Sequence, residues 1–237
     1  MTNKLPELSI FFPFWNEEKN IEKVVKKAIP VADKIAKKWE IIMVDDGSSD
    51  NTLGIMEKLA KENSNLVVVS HKENRGYGAA LKSGFQNAKY KFIIFNDGDG
   101  QFDFSQSPRF IEKIDDADIV IGFRKKRLDN PLRHILMNLL KIWDFFFFGF
   151  NFKDIDCGFK LFRKDALEKI MPFKSEGAMI TTEILARAKR KKLKIAQVEV
   201  SHYPRLYGDQ SGGNLRVIVR AVRESFALWR SLHYGRN

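Results

Sequence analysis

The chain is short of the residues that staple or anchor a protein. It has one cysteine, Cys157, in 237 residues. That excludes an internal disulfide framework and any zinc site built on cysteines. Three of its histidines, His71, His134 and His233, show no ligand-like spacing. There is no internal repeat, no low-complexity tract and no linker. The opening MTNKLPELSIFFPFWNEE has no basic leader followed by a long apolar run, so no secretory signal is expected. A spanning helix needs about 20 apolar residues, and the most apolar stretch, Ile135–Phe150, is interrupted by Lys141 and Asp144. Any membrane contact is therefore expected to be peripheral or through a membrane-protein partner. Apolar mass is plentiful: 44% of residues are hydrophobic, with 20 Phe and 4 Trp, too much to leave in water. One folded domain over residues 1–237 is expected.

Charge is unevenly placed. Residues 1–120 carry 17 basic and 19 acidic side chains, and residues 121–237 carry 24 and 11. The second half is the one expected to face a polyanion or phosphorylated ligand, or else to carry solvated basic helix faces.

The first half alternates strands and helices. Leu8–Phe12, Glu40–Val44, Leu66–Ser70 and Phe92–Phe95 read as strands, and Glu17–Lys38, Asn51–Glu62 and Gly78–Ala88 as helices. Pro30 is expected to break or bend the first helix, and Asp50 to cap the second. This spacing predicts a mostly parallel α/β sheet flanked by helices. The second half predicts strands at Ile119–Gly122 and Ile195–Val200, and helices at Lys164–Ile170, Thr181–Lys192 and Asn214–Trp229. In an open parallel sheet, ligands bind beyond the carboxyl ends of the strands. Three strands end in polar turns, Pro13–Glu18, Asp45–Asp50 and Asn96–Asp99, and these should meet at one edge.

Asp97 and Asp99 flank Gly98 after a buried strand, a like-charge pair that water or a hard divalent cation must stabilise. Alone, a solvated acidic turn explains them as well. Asp45 and Asp46 stand where a carboxylate accepts from a base N–H or a ribose hydroxyl. A helix cap accounts for part of the Ser48-Ser49-Asp50 run, but not for two adjacent acids. Asn16 and Glu17, after the stiff Pro13, lie within reach of the same nucleotide.

The ordered set P-x-x-N-E, V-D-D-G-S-S-D-N-T, N-R-G-Y-G-A-A-L and D-G-D-G-Q resembles family-two glycosyltransferases of the GT-A (Rossmann-like) fold. Asp156-Cys157-Gly158-Phe159-Lys160 and the Glu199–Ser211 stretch are similar to motifs of the dolichyl-phosphate mannose synthase and polyprenyl-phosphate glycosyltransferase branch. The resemblance implies a nucleotide-sugar-binding half, 1–120, and a basic acceptor-binding, membrane-facing half, 121–237. It implies that Pro13, Asn16, Glu17, Asp45, Asp46, Arg75 and Gly76 bind the donor nucleotide. Asp97, Asp99 and Gln101 would hold Mg²⁺ or Mn²⁺ on its diphosphate. Arg205 would hold a phosphate at the reacting centre. Arg124 and Arg133, placed only by proximity, join Asp156, His202 and Ser211 on the acceptor side. Asp156 is equally suited to donor sugar hydroxyls or a loop backbone, and His202 to a structural hydrogen bond. The expected donor is GDP-mannose or a UDP-hexose, the reaction inverting, and the acceptor a polyprenyl or dolichyl phosphate at the cytoplasmic face of the membrane. The branch usually follows its Arg with Gly-x-Ser-Lys; this chain has Gly208-Asp209-Gln210-Ser211 instead.

The apolar segment carries a narrow polar stripe, Asn138, Lys141 and Asp144, beside the basic run Arg124–Arg133. It reads as an amphipathic interfacial helix on an anionic membrane, or as a core helix or oligomer contact. Three other readings remain open: transfer to a glycan or small-molecule hydroxyl, a nucleotide-sugar sensor without turnover, and nucleic-acid binding. The acidic strand ends argue against the last.

Overall fold

The structure is a computed structural model describing residues 4–124, 147–205, 207 and 215–234, with side chains from 223 to 232 in the last segment. Its centre is a seven-stranded sheet: β1 (Leu5–Phe14), β2 (Ala36–Asp45), β3 (Leu66–Ser70), β4 (Phe92–Asn96), β5 (Ile119–Arg124), β6 (Phe159–Arg163) and β7 (Ile195–Val200). The spatial order is β3-β2-β1-β4-β6-β5-β7, and only β6 runs antiparallel to its neighbours. Strands from both halves of the chain thus share one sheet. The helices are α1 (Ile21–Ile35), α2 (Thr52–Glu62), α3 (Tyr77–Asn87), α4 (Pro108–Ile114), α5 (Lys164–Glu168), α6 (Ile180–Arg190) and α7 (Leu215–Tyr234), with a 3-10 turn at Phe104–Gln106.

Strand alternation sorts the core into two layers. Leu8, Ile10, Phe12 and Phe14 pack with Val25, Ala28 and Met56 of α1 and α2. Phe11 faces the other way, with Phe85 of α3, Phe95 and Ile184 of α6. Both faces of the central strands are covered, so β1, β2 and β4 read as near-continuous apolar runs.

Two expectations about proline are corrected. Pro13 does not end β1, which continues to Phe14, with Pro13 in register with Val44 at the sheet's margin. Pro30 does not break α1, which runs through it to Ile35. The cost of the missing N–H is offset by five buried residues, Ile21, Val25, Ala28, Ala32 and Ile35. The helix stops earlier than expected, because Ala36 turns extended and opens β2. The N-cap of α2 is Asn51, which makes no side-chain cap bond; the expected cap, Asp50, stands one residue earlier, its carboxylate accepting from Thr52 N at 3.0 Å. The expected interfacial helix falls mostly at 125–146, outside the described residues, as do Arg133 and Ser211.

The basic run Lys189–Lys192 lies at the amino-terminal edge of the sheet, just before β7. Lys189 Nζ donates to the carbonyls of Gly149 and Phe148, and an Arg190 guanidinium N–H to that of Leu232.

Candidate active site

The three polar turns meet beyond the carboxyl ends of β1, β2 and β4. Asn16 takes a left-handed backbone, φ 54°, which Asn tolerates better than most residues. That turn lets its Oδ1 accept from Ser49 N at 2.8 Å, while Asn16 N donates to Ser48 Oγ at 2.9 Å. Glu17 N donates to Thr52 Oγ1 at 2.8 Å. The first turn is thereby laced onto the second. Beside them Trp15 stands half-exposed.

Asp45 is buried; its carboxylate accepts from Ser48 N at 3.2 Å and Ser70 Oγ at 3.1 Å. Asp46 is also buried and takes three partners from one loop: His71 Nδ1 at 2.7 Å, Arg75 N at 3.0 Å and Gly76 N at 2.8 Å. Arg75 and Gly76 were expected to bind the donor nucleotide; in the structure their backbone N–H groups donate to Asp46. Gly76 has φ 101°, a conformation that side chains oppose.

Asp97 Oδ1 accepts from Tyr77 Oη at 2.8 Å, and Asp99 Oδ1 from Gln101 N at 3.0 Å. Burial, and then the neighbouring Asp99 charge, push the Asp97 carboxyl up to about 7. Asp99 is raised as well, chiefly by burial, against the pull of the Gln101 amide and Arg205. Burial likewise drives the Tyr77 phenol well above its ordinary value. Two carboxylates made costly by burial and by each other suit a hard divalent cation that keeps places for water and phosphate oxygens. Among the described residues no group of three or more His, Cys, Asp or Glu is placed to hold a metal ion.

The carboxyl-terminal half closes this edge through Arg205. Its guanidinium pairs with Glu17 and lies 3.7 Å from Asp99 Oδ2, while its Nε donates to Tyr207 O at 2.7 Å. The Glu17 carboxyl is raised, first by burial. Gln101 was expected on the metal. Instead its Nε2 donates to Tyr203 O at 3.0 Å, and its carbonyl accepts from Tyr203 N at 2.8 Å. It therefore ties the acidic turn to the loop bearing Arg205. His202 bridges in sheet fashion to Phe102, and its ring packs edge-on to Phe102 at 5.1 Å between centroids. Arg124 does not stand free for a phosphate: it forks onto buried Asp154, Nε to Oδ2 at 2.6 Å and Nη2 to Oδ1 at 2.9 Å. Asp156 adds to the negative field on Arg124.

Sequence reasoning missed three contributors. Tyr77 was quoted only inside the N-R-G-Y-G-A-A-L motif, without a role, and His71 was passed over as a lone histidine, although each adjoins a strand end or motif glycine. Lys160 was quoted only as the end of a motif. It is wholly buried and donates to the carbonyls of Ile155, at 3.1 Å, and Cys157. Those bonds hold the turn that presents Gly158 to Asp97. Burial pulls the Lys160 ammonium below its ordinary value.

A parallel α/β sheet with paired carboxylates at its carboxyl edge and a basic loop folded over them defines a glycosyltransferase of the GT-A class. The chain belongs to glycosyl transferase family 2, whose family model matches residues 9–171. It is 33% identical over 221 residues to dolichyl-phosphate beta-glucosyltransferase of Saccharomyces cerevisiae, covering 82% of this chain and 66% of that one. It is 34% identical over 203 residues to an uncharacterised protein of Methanocaldococcus jannaschii, covering 80% and 85%. It is 25% identical over 217 residues to undecaprenyl-phosphate 4-deoxy-4-formamido-L-arabinose transferase of Proteus mirabilis, covering 91% and 65%. The chain thus spans about two thirds of the yeast and Proteus relatives, 66% and 65%. Among solved structures it resembles glucosyl-3-phosphoglycerate synthase of Mycobacterium tuberculosis in complex with Mn²⁺, uridine diphosphate and glucosyl-3-phosphoglycerate. That likeness has a TM-score of 0.68 at 21% identity, over 98% of this chain and 81% of that one.

Proposed function

We propose that the protein is an inverting, metal-dependent glycosyltransferase that moves a hexose from a nucleotide-diphosphate sugar to a polyprenyl or dolichyl phosphate. The observation that carries this reading is Arg205, a guanidinium from the basic half set between Glu17 and Asp99 of the acidic half. A site of this kind brings a second phosphate against a bound diphosphate.

In this reading Pro13, Asn16, Asp45 and the Asp46-pinned backbone of Arg75 and Gly76 shape the nucleotide pocket, with Trp15 stacking on the base. Asp97 and Asp99 would hold Mg²⁺ or Mn²⁺, which stabilises the charge developing on the leaving diphosphate. Arg205 turns its fork to phosphate, whose geometry it matches. An acceptor phosphate oxygen forms the new bond to the anomeric carbon as the bond to the nucleoside diphosphate breaks. That oxygen is already anionic, so no general base is required, and positioning and electrostatics supply the rate.

Transfer to a hydroxyl would need a free carboxylate. In the second half Glu183 is fully buried and accepts from Lys174 N at 3.0 Å, Ser175 N at 2.7 Å and Arg187 at 2.7 Å. Asp154 is held by Arg124. Glu176 pairs with Lys82 at 3.3 Å and Arg75 at 3.5 Å. These three acids are occupied, and Asp156, the nearest to a candidate base in sequence, has a partner as well, which favours the phosphate acceptor.

The hexose of the yeast relative's name makes glucose the first donor to try, with GDP-mannose beside UDP-glucose. A polyprenyl tail lies in a bilayer, and in this reading the protein meets it peripherally, at the cytoplasmic face. Among the described residues no helix is long and apolar enough to cross a bilayer. The Lys189–Lys192 run, on the edge opposite the site, would face away from that bilayer. Transfer of labelled hexose from each donor to polyprenyl phosphate in vesicles, with Mn²⁺ and with chelator, tests the proposal. Nucleotide binding without any lipid product from either donor would overturn the acceptor assignment.

A further inference from the structure

Ser83, His71 and Asp46 form a hydrogen-bonded chain. Ser83 Oγ lies 2.8 Å from His71 Nε2, and His71 Nδ1 lies 2.7 Å from Asp46 Oδ1. The imidazole and carboxylate side chains are only 6% and 5% exposed. The same order of groups activates a serine nucleophile in hydrolases, but this chain lacks the rest of that machinery. Ser83 sits in the middle of α3, where backbone N–H groups are spent within the helix and leave no oxyanion donor. The carboxylate, moreover, is engaged elsewhere, by Arg75 N and Gly76 N.

We infer that His71 is a positioning residue for the nucleotide-sugar site: it orients Asp46, which fixes the Arg75–Gly76 backbone where the donor lies. This rests on the donor reading of that edge. The bonds close a circuit. Gly76 starts α3, its carbonyl accepting from Ala79 N at 2.9 Å and Ala80 N at 3.1 Å. Ser83 of the same helix meets His71, His71 holds Asp46, and Asp46 returns to Gly76. Such a ring of buried hydrogen bonds is stiffer than its separate members. It also reassigns Asp46, whose carboxylate serves the loop rather than the nucleotide. His71 follows directly on β3 and its own N–H donates to Asp45 O at 2.9 Å, so its ring is delivered by the sheet.

Two substitutions separate the halves of the imidazole. In His71→Asn the side-chain amide stands near the place of Nδ1 and can still donate to Asp46. In His71→Gln it reaches toward Ser83 and leaves Asp46 short of a donor. A lost hydrogen bond to a charged group is worth roughly 1.5–3 kcal/mol, about tenfold or more in an equilibrium. Titration of the full chain with UDP and with GDP, in Mn²⁺, should show His71→Gln binding at least about tenfold more weakly and His71→Asn within about threefold of wild type. Ser83→Ala should follow His71→Asn. Hydrogen exchange at the Arg75 and Gly76 amides should speed up in His71→Gln and not in His71→Asn. Melting temperatures should fall in both, and further in His71→Gln, whose lost bond is to a charged group.

Equal losses in the two variants, or unchanged exchange at Gly76 in His71→Gln, would overturn the inference. Wild-type binding of a nucleotide that His71→Gln leaves intact would overturn it while sparing the donor reading. A wild-type chain that binds neither nucleotide would overturn that reading itself.

Discussion

An alanine at position 158 would place its Cβ 1.8 Å from Asp97 Oδ2 and 2.1 Å from its Cγ. Ordinary contact for such atoms is about 3.5 Å. The backbone has little freedom to yield. Gly158 O accepts from Asp97 N at 2.9 Å, and Phe159 is locked opposite Asn96 in the sheet. The Asp97 carboxylate must therefore turn away by well over ~1 Å, breaking its bond to Tyr77. Crowding of this kind costs about 1–3 kcal/mol, and a broken buried hydrogen bond about 1–3 more. The variant should lose about 2–6 kcal/mol of stability, and turnover should drop by about 10² or more, since an ångström of misplacement suffices for that. The decisive assay is thermal unfolding with and without Mn²⁺, because a ligand that binds only the folded state raises the melting temperature. Gly158→Ala should lose that increment. Gly54→Ala, on the exposed face of α2, is the control. There the new Cβ meets only the Asn51 side chain, Oδ1 at 2.5 Å, which can swing aside. A gain of up to ~1 kcal/mol is expected for it. If Gly158→Ala kept both its Mn²⁺ increment and its turnover, the assignment of Asp97 to the cation would be refuted.

Arg205→Gln removes the guanidinium that lies against Asp99 and Glu17. Without donor, Mn²⁺ should bind the variant about 3–10-fold more tightly, while transfer falls; weaker Mn²⁺ binding in calorimetry would contradict the competition. In metal-free protein the folded chain keeps the Asp97 proton that the unfolded chain releases near its ordinary value of 3.8. Stability should therefore fall as pH rises from about 4 to about 7, and Asp97→Asn or added Mn²⁺ should flatten that slope in denaturant titrations. Asp154→Ala leaves the Arg124 guanidinium buried and unpaired, and should cost about 3–5 kcal/mol by urea unfolding. The double change Arg124→Met with Asp154→Leu should cost less, an ordering that separates a structural clamp from a phosphate ligand.

The parts of the molecule that were legible from sequence are those where local pattern and burial coincide. The strands β1 to β4 are apolar on both faces, and each of β1, β2 and β4 runs into a polar turn, so the site edge could be drawn before any contact was known. The antiparallel β6 escaped because Phe159–Arg163 is short and carries a buried lysine among its apolar residues. Lys160 is tolerable there only because the turn before it turns two carbonyls onto the ammonium, and no periodicity announces such a turn. The Phe104–Gln106 turn, three residues long, escaped for want of length.

Which acids converge could be read from strand ends; what each acid does could not. Asp45 and Asp46 are adjacent and alike in sequence. Successive residues at a strand end point opposite ways, so one meets the serines at 48 and 70 and the other meets His71 and the Arg75–Gly76 backbone. Arg124 and Arg205 are likewise the same residue type in the same basic half. One is neutralised by a buried carboxylate at 2.6 Å. The other straddles two acids, Asp99 and, 188 residues away in the chain, Glu17, and those acids face the place where a cation and a diphosphate would sit. A guanidinium there can exchange its carboxylates for phosphate when substrates arrive. Arg124 is itself buried with Asp154, the two side chains 9% and 3% exposed, and drawing it out to a ligand would split a buried pair, a penalty that keeps it in place.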